Sequence, residues 1–377
     1  MKMYIALNPR LRLTPLVWVL LTLMSLGFVV AMIRYVNGIG AISNLNNAYS
    51  WGFWISFDLY TGVAIGSGAF IMASIVYILD LKEFRPLLRP AVLTGFIGYI
   101  MVITALLVDL GRPERIWHMM IYQNHTSILL EIGICVMSYT AVLAIEFAPV
   151  VFEGIKWQKF AHLIHRFIMP FVILGVVLST LHQSSLGSLQ LIQPTKLHPL
   201  WWTPLLPLMF FSSAVCIGLA MIIFESSLSS RAFHRGLETH LLEKLARALP
   251  VALAIYLILK FGDLAFGGDF QYLFTSGTMS LLFWGEIMLG VLIPLFMFLF
   301  KRVRQSPTGL LVGAASLLLG MILNRFNVSW FAISRSTDVT YFPSWMEVSV
   351  SAAIFATGIL AFGLTARYLP LFEHEES

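Results

Sequence analysis

Nine histidines, two cysteines and a set of carboxylates inside apolar stretches are the residues of this 377-residue chain that could do chemistry. Cys135 and Cys216 both lie in apolar runs, and two thiolates cannot build an iron–sulfur cluster or a structural zinc site. A b-type haem would need two facing histidines on different membrane helices. Only His165 and His182 fall clearly within apolar spans, and both are on the fifth. Their separation corresponds to about 25 Å of helix, too far to share one iron. His118, His125, His162, His198, His234, His240 and His374 sit in loops or at a span edge. Neither haem nor metal is therefore expected on this chain. The glycines of TGVAIGSGAF (61–70) fall in mid-span, where Gly62 and Gly66 at four-residue spacing suit close helix packing, not phosphate binding. No Walker motif, nucleophile elbow or metalloprotease signature occurs.

The carboxylates are harder to dismiss, because ionisable groups within spans are costly and usually mark a pathway or a site. Asp58 and Glu131 are expected a turn or so inside their spans, about 6–8 Å below the outer surface. Glu225 lies near the inner end of its span and Glu146 in the inner half of another. Buried carboxyls suit a proton relay, with structural ion pairing as the competing reading. Arg34, Arg166, Lys260 with Asp263, and Arg325 are the groups most readily explained by pairing alone. DLGRP (109–113) puts Asp109 and Arg112 three residues apart at the membrane surface, and LHQSSLGSL (181–189) puts His182 beside an amide and hydroxyls. A quinone headgroup needs hydrogen-bond donors and a proton-exchanging group in an apolar pocket open to lipid. Asp58, Asp109, Arg112 and His182 at one depth would supply that; the composition permits such a site without requiring it.

The elements that must position these groups follow from composition. The chain is 58% hydrophobic and 11% charged, against about 25% charged for a soluble domain. A bilayer core needs roughly 20 apolar residues per helix. Ten such runs occur, at about 15–36, 53–79, 90–110, 127–147, 162–182, 203–226, 248–266, 279–300, 308–327 and 347–368. The first is too long for a signal peptide and has no cleavage site. Continuous apolar runs exclude a β-barrel. An all-α, multi-pass membrane protein is predicted.

Of the 24 Lys and Arg, sixteen fall on the termini (Lys2, Arg10 and Arg12 among them) and on the loops after spans 2, 4, 6 and 8. Four fall on the opposite loops (Arg112, Arg115, Lys196 and Arg335). That bias puts both termini in the cytoplasm and accounts for the net charge of +5 without nucleic acid. The outer loops are aromatic, as in NNAYSWGFW (46–54) and HPLWWTP (198–204). An interfacial belt is the ordinary explanation, and a docking surface for an extracytoplasmic partner the alternative.

Several stretches together resemble the NrfD, or polysulfide-reductase membrane-subunit, family. They are WGFWISFDLYTG (51–62), RPLLRPAVLTGFIGY (85–99), DLGR (109–112), the stretch 127–153, LHQSSLGSL (181–189), KLHPLWW (196–202), IIFESSL (222–228), FWGEIMLGVLIP (283–294) and YFPSWMEVSVS (341–351). Within the family the chain is most similar to the ten-span HybB-type membrane subunits of nickel–iron hydrogenases, with DsrP-like subunits of sulfur metabolism close by. The resemblance implies a single polytopic unit over 1–377. Spans 2–5 (about 53–182) and 6–9 (about 203–327) would form two four-helix bundles, with spans 1 and 10 flanking. It also implies a haem-free subunit of the cytoplasmic membrane. Such a subunit exchanges electrons between a (mena)quinone pool and a ferredoxin-like iron–sulfur subunit on the extracytoplasmic face, with the catalytic oxidoreductase subunits beyond. Carried over, Asp58, Tyr99, Asp109, Arg112, Glu131 and His182 become quinone and proton candidates, and Glu225 and Glu146 the inner proton path. A proton-coupled transporter and a passive anchor remain alternatives; bound quinone and a co-purifying iron–sulfur subunit would separate them.

Overall fold

The computed structural model describes residues 4–5, 14–333 and 340–373. Lys2, Arg10, Arg12, Arg335 and His374, which entered the charge and histidine readings, lie outside the described residues. All ten expected spans are helices: Pro15–Asn37, Ile55–Ile78, Lys82–Asp109, Ile128–Gly154, Ile168–Leu191, Leu206–Phe233, Thr239–Gly267, Thr278–Leu299, Pro307–Phe331 and Trp345–Tyr368 (spans 1–10). Their ends are written in the sequence. Thr14 with Pro15, Ser127, and Ser306 with Pro307 cap spans 1, 4 and 9, each side chain accepting a backbone N–H. Gly38 (φ 87°) and Gly268 (φ 75°) take the positive φ that stops spans 1 and 7.

Each of spans 2–5 packs on its neighbours in a closed ring, and spans 6–9 form a second ring. Span 6 also packs on spans 2 and 5, so it joins the two bundles. One apolar core runs through both, from Val63 and Leu143 to Leu253 and Phe298. Spans 1 and 10 pair with each other, and span 10 lies against span 3. Residues Tyr4–Ile5 and Phe372–Glu373 form a two-residue antiparallel bridge, the one departure from an all-helical chain among the described residues.

Spans 3 and 7 start about eight and nine residues before their apolar runs, spans 4 and 6 end about seven residues after theirs, and span 5 starts late. His165 and Arg166 were expected inside span 5, but the helix breaks at Phe167 and span 5 begins at Ile168. The preceding short helix, Gln158–Arg166, carries Gln158, Lys159, His162, His165 and Arg166 on one arc and apolar residues on the other. That arc is too polar to face lipid, so the segment lies across the helix ends instead of continuing the span. The shift leaves His182 in mid-span.

Close packing is extreme where spans 8 and 9 cross. A Cβ at Gly320 would overlap the backbone of Gly290 and Leu289. Gly320→Val must push the two helices apart, and the overpacking cost, about 1–3 kcal/mol or more, should appear as a lower thermal midpoint of the detergent-solubilised protein.

Candidate functional site

The residues singled out from sequence separate into three places. The first is a column of polar groups inside the first bundle. At the outer end, as the charge pattern assigns it, Glu131 sits in the first turn of span 4 and is exposed, not sunk below the surface. Its carboxylate suits the positive end of that helix, and it accepts a hydrogen bond from Ser185 at 2.5 Å. Three residues before Ser185 on the same face of span 5 is His182, fully enclosed, with neither ring nitrogen hydrogen-bonded. The Tyr99 ring lies 5.8 Å from it, and Tyr139 meets Tyr99 edge-on at 4.8 Å. Both phenol oxygens are buried without a partner; Ser179, one turn along span 5, approaches both outside strict hydrogen-bond geometry. Gly175 is the next residue on this face. Its missing side chain leaves room that Glu146 and Tyr139 border, since a Cβ there would sit 3.2 Å from Glu146 Oε1. Glu146 in turn lines a cavity of about 330 Å³ at the inner end.

The second place is an aromatic seam between spans 2, 9 and 10. Phe57 stacks on Phe355 at 5.0 Å and on Phe326 at 5.7 Å, and Phe53 on Phe57 at 5.4 Å; these rings are half-exposed. Ile55–Leu59 and Asn327–Phe331 are both π-helical turns, and they touch each other. Each inserts an extra residue into its helix, a distortion that recurs at functional sites. Asp58 lies on the first of these turns, buried, accepting from Ser351 at 2.5 Å with its other oxygen unpartnered. Thr61, one turn deeper, and Gln183, which donates to the Val63 carbonyl at 2.9 Å, each keep a buried oxygen without a partner between this seam and the column.

Asp109 is half-buried nearby, with Arg34 and Glu347 as charged neighbours. Arg34 donates to the carbonyls of Val108 (2.7 Å) and Leu110, closing the C-terminus of span 3. Glu347, which sequence reading did not single out, is wholly buried in a capping box and accepts from Tyr341 at 2.5 Å. Burial and then the Glu347 carboxylate push the Tyr341 phenol above its ordinary range, so it remains a donor. Arg112 is exposed on the outer loop and joins neither place. Asp58, Asp109 and Arg112 thus share an end of the molecule, while His182 lies in mid-span inside the first bundle.

The third place is in the second bundle. Glu286 accepts from Trp201 (3.0 Å), Asn324 (3.1 Å) and Asn327 (2.6 Å), with Lys260 as its nearest cation. Lys260 donates to the Leu200 carbonyl, and Arg325 to Ser213 at 2.7 Å and Asn324. Tyr60, held by Gln190 at 2.7 Å, reaches toward Arg325 from span 2. Glu225 stands apart near the inner end of span 6, beside Ser229 and Arg235, with one oxygen unpartnered.

With this geometry the comparisons with known proteins can be read. A family model described as "Polysulphide reductase, NrfD" matches residues 18–333. The chain belongs to the NrfD family. A Nitratidesulfovibrio vulgaris protein is 39% identical over 94% of both chains. The "Probable Ni/Fe-hydrogenase 2 b-type cytochrome subunit" of Escherichia coli is 34% identical over 90% of this chain and 87% of its own length. The "Menaquinone reductase, integral membrane subunit" of N. vulgaris is 29% identical over the same shares. The E. coli name stands against the haem-free expectation. A b-type haem asks for two axial histidines on facing helices. In this NrfD-family chain His182 is the one buried histidine among the described residues, and two tyrosine rings fill the space around it. The residues do not fit that group.

Tyr139 and Ser179 escaped the sequence reading, and Ser185 entered it only as one of the hydroxyls of LHQSSLGSL, although Ser179, His182 and Ser185 are spaced as one helix face. The aromatic seam left no such periodic mark, because its members come from three distant segments.

Proposed function

We propose that this chain is the quinone-reactive membrane subunit of a respiratory oxidoreductase complex in the cytoplasmic membrane, with both termini on the cytoplasmic side. It passes electrons between a ferredoxin-like iron–sulfur subunit docked at its outer end and the (mena)quinone pool, while the main catalytic centre lies on other subunits. The name of the menaquinone reductase subunit supports the substrate class. The observation that carries the reading is the seam: half-exposed aromatic rings reachable from lipid, against a buried carboxylate with a free oxygen. Aromatic faces suit a planar quinone ring. Asp58 is then the group that gives or takes a proton at the ring oxygen.

Quinone reduction consumes two electrons and two protons, and quinol oxidation releases them. The polar column through His182, Tyr99 and Tyr139 is the route for those protons, with Glu131 at its outer mouth and Glu146 at its inner mouth. Steps of about one helical turn separate its members. Asp109 and Arg112 line the approach of the outer partner, and Glu225 is a separate inner proton group of the second bundle.

Two measurements test this. In the intact complex, Phe57→Leu should raise the quinone KM while Asp58→Asn lowers kcat, both with dye-linked partner chemistry unchanged; normal quinone kinetics in both variants would remove the seam from the mechanism. The purified subunit should lack a Soret band, and a bis-histidine spectrum would overturn the cofactor reading.

A further inference from the structure

The short helix Gln158–Arg166 marks the level of the headgroups at the inner end. Phe160, Leu163 and Phe167 are exposed on one arc, Ala161 and Ile164 face the protein, and Lys159, His162 and Arg166 occupy the rest. A helix with one arc for protein, one for acyl chains and one for water lies in the plane of the interface. The mouth of the inner cavity, beside exposed Arg85 and His165, is at that level.

The cavity is built for something other than bulk water. Its walls are apolar, with Leu88, Val92, Phe147, Val150 and Ile168, and Arg85, Arg89 and His165 stand at its rim. Glu153 offsets Arg89, which it meets at 2.8 Å, with His165 3.6 Å away, so Arg85 is the rim cation for which no ion pair is found among the described residues. Glu146 is the acid on the lining. Arg85 opens the α-helical part of span 3 at the mouth, where helix N–H groups add to the positive field. Lys156, Lys159 and Arg166 extend the positive surface around it, and no ion pair is found for them among the described residues.

We propose that this cavity is a specific site for an anionic phospholipid of the inner leaflet. Arg85 at the rim holds its phosphate, and the apolar walls take the glycerol and the first acyl carbons. Basic pockets between helix ends at headgroup depth select anionic lipids in this way. The site sits over Glu146 and is independent of the quinone reading, since it needs no redox partner.

The test uses the full-length protein, purified in detergent and stripped of lipid. Native mass spectrometry counts retained lipid, and tryptophan fluorescence reads titrations with phosphatidylglycerol, phosphatidylcholine and inorganic phosphate. Trp157, packed against Phe152 and Phe160 at the start of the short helix, is the reporter, and a Trp157→Phe control separates its signal from that of the other tryptophans. One tightly held phosphatidylglycerol is expected, with phosphatidylcholine and inorganic phosphate bound at least about fivefold more weakly. Arg85→Gln should lose that preference, Arg85→Lys should keep most of it, and Lys301→Gln with Arg302→Gln, on another inner loop, should leave it intact. Equal binding of the two lipids, an Arg85→Gln variant matching wild type, or inorganic phosphate binding as well as the lipid would each overturn the proposal.

Discussion

Glu131→Gln should lower electron exchange with quinone by at least about tenfold, the low side of typical acid–base contributions, in a complex that assembles normally. The structure makes the assembly half of this expectation firm. Glu131 is exposed, sits in the first turn of its helix and is hydrogen-bonded to Ser185. Glutamine keeps a hydrogen-bond acceptor for that hydroxyl and gives up a helix-terminus interaction of roughly 0.3–1 kcal/mol. What it cannot do is accept and release a proton at the outer mouth of the column. Ser185→Ala should show a milder loss, because it removes the hydroxyl that holds Glu131 on the His182 face of span 5 and leaves the acid. Near-normal quinone turnover in Glu131→Gln, measured beside unchanged dye reduction, would reduce Glu131 to a helix-capping charge.

The largest stability effect is expected at Glu286. Its carboxylate gathers three N–H donors and faces Lys260, all enclosed in the second bundle. Glu286→Ala strands the side-chain donors of Trp201 and Asn324 and takes from Lys260 the stronger of its two acidic neighbours. Breaking one member of a buried pair costs about 3–5 kcal/mol, enough to abolish folding of a marginal protein. Lys260→Met combined with Glu286→Met should recover much of that loss, since a matched apolar pair carries no stranded charge. Thermal midpoints of the single and double variants decide between these; an additive double variant would mean that Lys260 and Glu286 do not interact.

Much of this fold was legible before any coordinates. Ten apolar runs of the right length could be nothing but helices in lipid, and two of them begin within a residue of the helix starts that Ser127 and Ser306 cap. The error at His165 and Arg166 has a plain cause. Hydropathy averaged over a window hides a nine-residue amphipathic helix, whereas the arc its polar residues occupy reveals it. Sites were less legible, because depth along a helix does not say which way a residue faces. Asp58 and His182 were rightly read as membrane-embedded, yet one turns to span 10 and the other into the first bundle. Lys260 was paired on paper with Asp263 on its own helix. In the structure Asp263 accepts from Thr203 at 2.5 Å, and Glu286 on span 8 is the stronger neighbour of Lys260.

The pairing of span 1 with span 10 joins two helices that leave the ribosome more than 300 residues apart. Until residues 345–368 leave the translocon, span 1 has only part of its final interface, held near span 3 by Arg34. Gly27, which packs against Ala353 and Ser349 with no room for a Cβ, stays exposed to lipid for nearly the whole of synthesis. A chain stopped early would therefore present an unfilled small-residue groove to whatever surveys unassembled membrane proteins. Arrival of span 10 is what closes that groove.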